Sequence, residues 1–145
     1  MDPQFQRCID FVIDTLEGGG MVVKDSGGIT RWGISSKAHP GIDIENLTRE
    51  EAEDIYEAEY WIPCGCERMD FPMSLTIFAC AVNQGVGFAQ AVSHESMDYV
   101  DALVRCMVRY HDLASQRADL KQYFRGWIGR LVRIFREGQR EGTAP

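Results

Sequence analysis

The stretch EGGGMVVKDSGGITRWGIS, residues 17–35, decides how this chain is expected to fold. A glutamate precedes three consecutive glycines, and an aspartate and a threonine flank a second glycine pair. Because glycine readily takes the left-handed conformation that ends a helix, we expect a helix to stop at Glu17. Residues 21–24 then predict a short strand, residues 25–28 a turn, and residues 29–34 the returning strand. The stretch therefore predicts a helix that leads into a small hairpin.

The residues before Glu17 predict an amphipathic helix. Asp2 suits the N-cap and Pro3 suits the first helical position. Apolar residues then recur at helical spacing on one face: Phe5, Cys8, Ile9, Val12 and Leu16. Glu17 falls in the last turn, where the unpaired carbonyls form the negative end of the helix dipole and disfavour an ionised carboxylate. A carboxyl group that keeps its proton there could serve as a general acid.

Glu17, Asp25 and Thr30 together supply two carboxyl groups and a hydroxyl from a short length of backbone. Hydrolysis of a glycosidic bond needs two carboxyl groups, one that protonates the leaving oxygen and one that handles the water or the cation. The structural alternative is an ordinary helix end followed by an ordinary turn, since Asp and Gly are the commonest turn residues. Either piece alone favours that alternative, whereas the combination favours the catalytic interpretation.

The combined pattern resembles glycoside hydrolase family 108, the phage and prophage N-acetylmuramidases that serve as endolysins. The resemblance implies that Glu17 is the catalytic acid, and analogy with other helical phage lysozymes implies that Asp25 and Thr30 position the attacking water. It implies hydrolysis of the beta-1,4 bond between N-acetylmuramic acid and N-acetylglucosamine in bacterial peptidoglycan, with no cofactor and no metal. Weaker matching motifs follow along the chain: Leu47-Thr48, Glu50-Glu51-Ala52, Ile55-Tyr56, Tyr60-Trp61, Ala81-Val82-Asn83, Gly85 and Gly126-Trp127.

The chain departs from the pattern of that family at identifiable places. Gly20 stands where the family usually has an aromatic residue, and the segment between Glu17 and the Gly27-Gly28 pair is one residue shorter. Beyond Gly87 the chain lacks the Gln-x-x-Leu and Asp-Gly features of a wall-binding portion. No separate wall-recognition site is therefore predicted.

Three polar or aromatic residues are candidates for binding the sugar: Trp32, Trp61 and Asn83. Aromatic faces stack on sugar rings, and an amide side chain can bond an N-acetyl group. Core packing is the alternative for both tryptophans. It is as well supported as binding for Trp61, and less well supported for Trp32, which falls on the predicted hairpin.

The rest of the chain predicts helices. Thr48 and Glu51 form a capping box that begins one helix. Residues 75–82 are apolar nearly all round and predict a central buried helix. Helices over about 88–97 and 98–116 should follow, and then a basic helix.

We expect a mainly α (α+β) fold, a lysozyme-like helical domain with a small β-hairpin lobe beside the active-site cleft. A chain of 145 residues can form one domain, here 1–145, without metals or disulfides. Within it, 1–87 would be the catalytic part and 88–145 a helical C-terminal part. We also expect a monomer that binds no nucleic acid.

The net charge of −7 hides an uneven distribution. Residues 117–141 hold seven Lys or Arg and three acids, a net charge of +4. A basic amphipathic helix there could contact anionic envelope lipid or lipopolysaccharide. The favoured alternative is a solvated basic face opposite a core stripe, whose members would be Trp127, Ile128, Leu131 and Phe135.

The five cysteines are expected to be free thiols, because their number is odd and no signal peptide precedes them. Cys8 and Cys80 fit small core positions. Cys64-Gly65-Cys66 is spaced too closely for a zinc knuckle. A Cys–His peptidase would need His39, His94 or His111, and no motif supports one, so all three histidines are expected to be structural.

Two further functions remain open in the sequence. A lytic transglycosylase would need Glu17 but no water-positioning aspartate, and a non-catalytic wall-binding phage protein would need neither. The acidic residue at position 2 and the amphipathic N-terminus argue against a signal peptide. The resemblance to endolysins therefore implies synthesis in the host cytoplasm and action on the wall, in the periplasm, after another protein opens the membrane.

Overall fold

The computed structural model describes residues 2–140, and the chain divides after Pro63 into two compact units. The described residues form six α-helices and one three-stranded antiparallel sheet, with π-helical and 3-10 turns between them. The sheet and two of the α-helices belong to the first unit, and the other four helices form the second. The expected mainly α (α+β) fold is therefore confirmed.

The first unit begins with helix α1, Pro3–Phe11, which its sequence caps as expected. The Asp2 carboxylate accepts a hydrogen bond of 3.0 Å from the backbone N–H of Gln4. The chain then widens into a π-helical turn, Val12–Leu16, and the N–H of Glu17 donates to the Val12 carbonyl at 2.9 Å. The predicted helix thus extends to Glu17, but its last turn holds more residues than an α-turn does.

The sheet follows directly and has the order β1-β2-β3. Its strands are β1 (Val23–Asp25), β2 (Gly28–Arg31) and β3 (Ile34–Ser35). Val23 pairs with Thr30 and Asp25 pairs with Gly28, which leaves a two-residue loop between the first two strands. The predicted hairpin is present, but the expected returning strand is divided by a turn into β2 and β3.

Helix α2, Arg49–Tyr56, completes the first unit together with a second π-helical turn, Glu57–Trp61. The predicted capping box is formed, since the Thr48 hydroxyl accepts from the Glu51 N–H and the Glu51 carboxylate accepts from the Thr48 N–H at 2.8 Å. The buried face of this segment joins that of α1 and the first π-helical turn. Together they form the core of the unit, which includes Phe5, Ile9, Val12, Ile13, Ala52 and Tyr56.

The second unit is a set of packed helices around α3. Its members are α3 (Met73–Gln84), α4 (Val86–Glu95), α5 (Tyr99–Gln116) and α6 (Phe124–Gln139). Helix α3 packs against α4 and α5, and α6 packs against α5. Residues Ser74 to Ala81 of α3 are all buried and Val82 is half-buried, so the burial predicted for residues 75–82 holds for all but its last residue.

All five cysteines are buried free thiols. In the second unit the Sγ atoms of Cys80 and Cys106 lie 3.2 Å apart, joining α3 to α5 by a thiol hydrogen bond. That contact and the burial of the site raise the pKa of Cys80. A hydrogen bond with Cys66 instead lowers the pKa of Cys64. Among residues 2–140, no helix is both long and apolar enough to cross a lipid bilayer.

Candidate active site

Glu17 lies where the first π-helical turn ends, directly against Gly33 in the turn between β2 and β3. A Cβ atom built on Gly33 would come within 2.9 Å of the Cβ and Cγ atoms of Glu17. Gly33 also has a φ of +79°, which an L side chain rarely adopts. The glutamate is partly buried, and its backbone N–H is held by Val12. Helix end and sheet thus fix the stem of this side chain from two sides.

Two tyrosines of the segment after Thr48 lie in the same region. The Tyr56 hydroxyl donates to the Trp32 carbonyl at 3.0 Å, and a Cβ on Gly33 would also collide with that hydroxyl. The rings of Tyr56 and Tyr60 lie 5.7 Å apart. Burial raises the pKa of Tyr60, and the negative charges of Glu59 and Glu17 raise it further. Tyr60 is therefore a neutral hydroxyl whose electrostatic surroundings include Glu17.

Asp25 and Thr30 share one face of the sheet. Asp25 is opposite Gly28, and Thr30 is two residues beyond Gly28 on the same strand, so both side chains leave the sheet on the same side. Asp25 is exposed at the hairpin end, and its Oδ1 accepts a hydrogen bond of 2.7 Å from the Gly27 N–H. Thr30 is partly buried in the middle of the sheet. The structure therefore brings a carboxylate and a hydroxyl to one face of the sheet.

Trp32 is fixed from several directions rather than left as an open platform. Its φ is +55°, and its indole N–H donates to the Leu47 carbonyl at 2.9 Å. The guanidinium groups of Arg31 and Arg49 lie 5.7 and 5.8 Å from its ring centroid. Its ring also covers Gly20, where any Cβ would overlap the indole. The Trp32 ring thus fills the space that a side chain at position 20 would need.

Arg49 binds three carboxylates and joins the helices that surround this site. Its guanidinium contacts Asp10 at 2.6 Å, Asp14 at 2.9 Å and Glu53 at 2.9 Å. The hydrogen bonds to Asp14 and Glu53 raise the pKa of Arg49, so it stays charged. The first of these acids is in α1 and the second in the π-helical turn that leads to Glu17. Arg49 therefore connects α2 to the backbone that carries the glutamate.

The remaining two predicted binding residues make contacts within the protein. Trp61 is 1% exposed and packs on Phe5 with ring centroids 5.3 Å apart, so its ring has no free face for a sugar and belongs to the core. Asn83 is exposed on α3 in the second unit, where its amide oxygen accepts a hydrogen bond from the Tyr110 hydroxyl. The structure brings Glu17 and Trp32 to the same turn, and it gives Trp61 and Asn83 other contacts.

Several residues near Glu17 fall in the motifs that resemble the family, but the sequence assigned them no part in the site. Gly33 and Tyr56 touch the site through a positive φ and a hydroxyl hydrogen bond, which depend on contacts between distant segments. Gly33 belongs to the stretch that carries the family resemblance, but its sequence did not indicate a contact with Glu17. Tyr60 appeared in the sequence in the matching motif Tyr60-Trp61 and on an apolar helix face, with no role assigned to it.

A comparison with family models gives one match, to glycosyl hydrolase 108, over residues 10–85. The matched region contains the helix end at Glu17, the sheet with Asp25 and Thr30, and α2 with Arg49. No curated protein and no solved structure matches the chain. Because the match covers more than half of the 145 residues, the chain belongs to the glycosyl hydrolase 108 family, and this membership implies a glycoside hydrolase that acts on peptidoglycan.

Proposed function

We propose that the chain is an N-acetylmuramidase that hydrolyses the beta-1,4 bond between N-acetylmuramic acid and N-acetylglucosamine. The observation that carries the proposal is the position of Glu17, held against Gly33 at a helix end within a region that matches the family. A glycoside hydrolase needs a carboxyl group fixed at one place beside the scissile bond. Glu17 meets this need, because Gly33 lies against its stem and the Val12 carbonyl accepts from its backbone N–H.

In the proposed reaction, the Glu17 carboxyl group gives its proton to the glycosidic oxygen as the bond to the anomeric carbon breaks. Asp25 takes a proton from a water that attacks that carbon from the opposite face, and the Thr30 hydroxyl orients the water. Tyr60 stays protonated because burial and the nearby acids raise its pKa, so it can only add a neutral O–H donor to the site. No metal or cofactor takes part in these steps.

The resemblance of the sequence pattern to endolysins supports a role in host lysis by a phage or prophage. In that role the enzyme would be made in the host cytoplasm and would reach the wall once the membrane is opened. The substrate would be the glycan of bacterial peptidoglycan, and the active species would be a monomer.

The replacement of Glu17 by glutamine tests the acid directly. Glu17→Gln keeps the shape of the side chain and removes the proton donor, so we expect at least a ~100-fold loss of rate on purified peptidoglycan with an unchanged circular dichroism spectrum. Glu50→Gln is the matched control, because Glu50 is an exposed acid on α2 with no part in the proposed chemistry. If Glu17→Gln hydrolyses peptidoglycan at nearly the wild-type rate, the proposal is refuted.

A lytic transglycosylase is the second candidate function, and the exposed position of Asp25 is the observation that favours it. One oxygen of Asp25 already accepts a hydrogen bond within the turn, from the Gly27 N–H. Mass spectrometry of the digest separates the two reactions, because hydrolysis leaves reducing sugar ends and transglycosylation leaves anhydro ends. A non-catalytic wall-binding protein would release neither product.

A further inference from the structure

The second unit carries an apolar groove between α5 and α6 that the proposed chemistry does not use. Its volume is about 210 Å³, and apolar side chains line it throughout. Three of them on α5 are 40–44% exposed, and Val132 and Phe135 on α6 are each 40% exposed. The α5 side of the groove is formed by Val100, Val104 and Met107, and the α6 side by Ile128, Val132 and Phe135.

This arrangement corrects the expectation that the apolar stripe of the basic helix is a core stripe. Leu131 is 9% exposed, but Phe135 lies open beside the groove, where its ring stacks on Tyr99 with centroids 6.3 Å apart. Ile128 lines the same groove. Only part of the apolar surface of α6 packs against α5, and the rest of it faces solvent.

Not every arginine of α6 belongs to its exposed basic side. Arg130 is buried, with its Nη2 3.5 Å from the Ala79 carbonyl, so it does not belong to the exposed basic surface. Arg140 pairs with Glu137 at 3.1 Å, and Glu141 lies outside the described residues. The exposed cations that remain along the helix are Arg125, Arg133 and Arg136, which we call the arginine edge.

Two members of the arginine edge, Arg125 and Arg136, lie beside the groove on α6, whereas Arg133 is one residue from Val132 and leaves the helix about 100° further round. Arg125 and Arg136 are seven residues before and four residues after Val132, so all three side chains leave the helix on one side. No acid occurs between Lys121 and Arg136. Within residues 2–140, the arginine edge takes part in no ion pair. A binding partner of this surface must therefore offer both apolar groups and negative charge.

We propose that this surface docks on an anionic phospholipid bilayer, with the groove against the acyl boundary and the arginine edge on the phosphates. A helix with an apolar stripe bordered by basic residues lies in a membrane interface in this way. A second copy of the chain fits less well, because face-to-face packing would bring two arginine edges into one interface. The net charge of −7 repels an anionic surface at long range, so the contact depends on this local patch.

The charge part is tested with phosphatidylglycerol vesicles mixed with phosphatidylcholine, compared with vesicles of phosphatidylcholine alone. Co-sedimentation should show binding only to the mixed vesicles, and it should weaken as salt shortens the Debye length below about 8 Å. In the triple variant Arg125→Gln/Arg133→Gln/Arg136→Gln, the loss of Arg125 and of Arg136 should each lower the affinity about fivefold, and the loss of Arg133 should lower it less. The control triple Lys37→Gln/Arg68→Gln/Arg117→Gln makes the same change in net charge elsewhere and should bind like the wild type.

The apolar part is tested by Val132→Ser, with Ile62→Ser as the control for loss of an exposed aliphatic side chain outside the groove. Only Val132→Ser should weaken vesicle binding, and circular dichroism should show both variants folded. Equal binding by wild type and the arginine-edge triple would overturn the proposal. So would light scattering that shows a dimer which Val132→Ser converts to a monomer, since the groove would then be a contact between copies.

Discussion

Gly33 and Glu17 are in contact through the backbone of one and the side chain of the other. A Cβ atom added to Gly33 would lie 2.9 Å from both the Cβ and the Cγ of Glu17, which is too close for either side chain to stay in place. The position of the proposed acid therefore depends on the absence of a side chain sixteen residues later in the sequence.

The first prediction concerns Gly33→Ala. A methyl group there must displace Glu17 or the Tyr56 hydroxyl, and the φ of +79° adds backbone strain of about 1–2 kcal/mol. A displacement of the acid by even ~1 Å can cost about 100-fold in rate. We expect peptidoglycan hydrolysis to fall by about 10- to 100-fold, more than the loss of stability explains. Gly41→Ala is the control, because a Cβ at Gly41 meets nothing within 4 Å. Equal activity of the two variants would show that the contact is unimportant.

The second prediction concerns Arg49→Met. The change leaves Glu53, whose side chain is 9% exposed, without its cation, and it frees Asp10 and Asp14. Charged hydrogen bonds of this kind contribute about 1.5–3 kcal/mol, so urea unfolding should show a loss in that range. Arg68→Met, which removes an exposed arginine, should cost less than about 1 kcal/mol. The double variant Arg49→Met/Glu53→Met should recover part of the loss, because no buried carboxylate is then left unpaired. If Arg49→Met is as stable as Arg68→Met, the three-carboxylate network contributes little.

The third prediction separates the two possible tasks of Asp25. Asp25→Asn keeps an oxygen that can accept from the Gly27 N–H, so the turn should survive, while the group that takes the proton from water is lost. We expect an unchanged melting temperature and a fall in kcat of about 100-fold. Asp25→Ala should lower both.

The same assignment predicts the stereochemistry of the product. A water held by Asp25 and Thr30 attacks the face opposite the leaving group, so NMR of the first-formed anomer should show inversion. Retention, or full activity of Asp25→Asn, would exclude the water-positioning role.

The fourth prediction uses the thiols of the second unit. The pKa of Cys64 is lowered by its hydrogen bond with Cys66, and the pKa of Cys80 is raised by Cys106 and by burial. Since the thiolate is the nucleophile, Cys64 should react with iodoacetamide at a lower pH than an ordinary thiol, and Cys80 only at a higher pH or after unfolding. Mass spectrometry of peptides from timed labelling measures both rates. The order is wrong if Cys80 is labelled as fast as Cys64 in the folded protein.

The parts of the structure that the sequence predicted are those with local causes. Asp2 caps its helix and Thr48 closes a capping box with Glu51, because each needs only neighbours within three residues. Asp25 and Gly28 close the hairpin for the same reason. Nearby residues alone can stabilise these features, so a short segment of sequence is enough to predict each of them.

The parts that the sequence did not predict depend on distant contacts. The residues of the two π-helical turns do not differ in type from those of ordinary α-helices, so the sequence does not predict these turns. The turn at Gly33, with its positive φ, brings this residue against the Tyr56 hydroxyl, which is distant in sequence. The apolar pattern of α6 could not separate residues that pack from residues that line an open groove, since both repeat every three or four positions. The role of Glu17 as the acid, and of Asp25 and Thr30 as partners, remains a prediction.

The indole that covers Gly20 makes positions 20 and 32 mutually dependent. An aromatic side chain at position 20 cannot enter while the Trp32 ring is in place. A Gly20→Tyr change should therefore harm the wild-type chain and become tolerable once Trp32 is replaced by a small residue. The order in which such replacements occur would then decide which of them a lineage can accept.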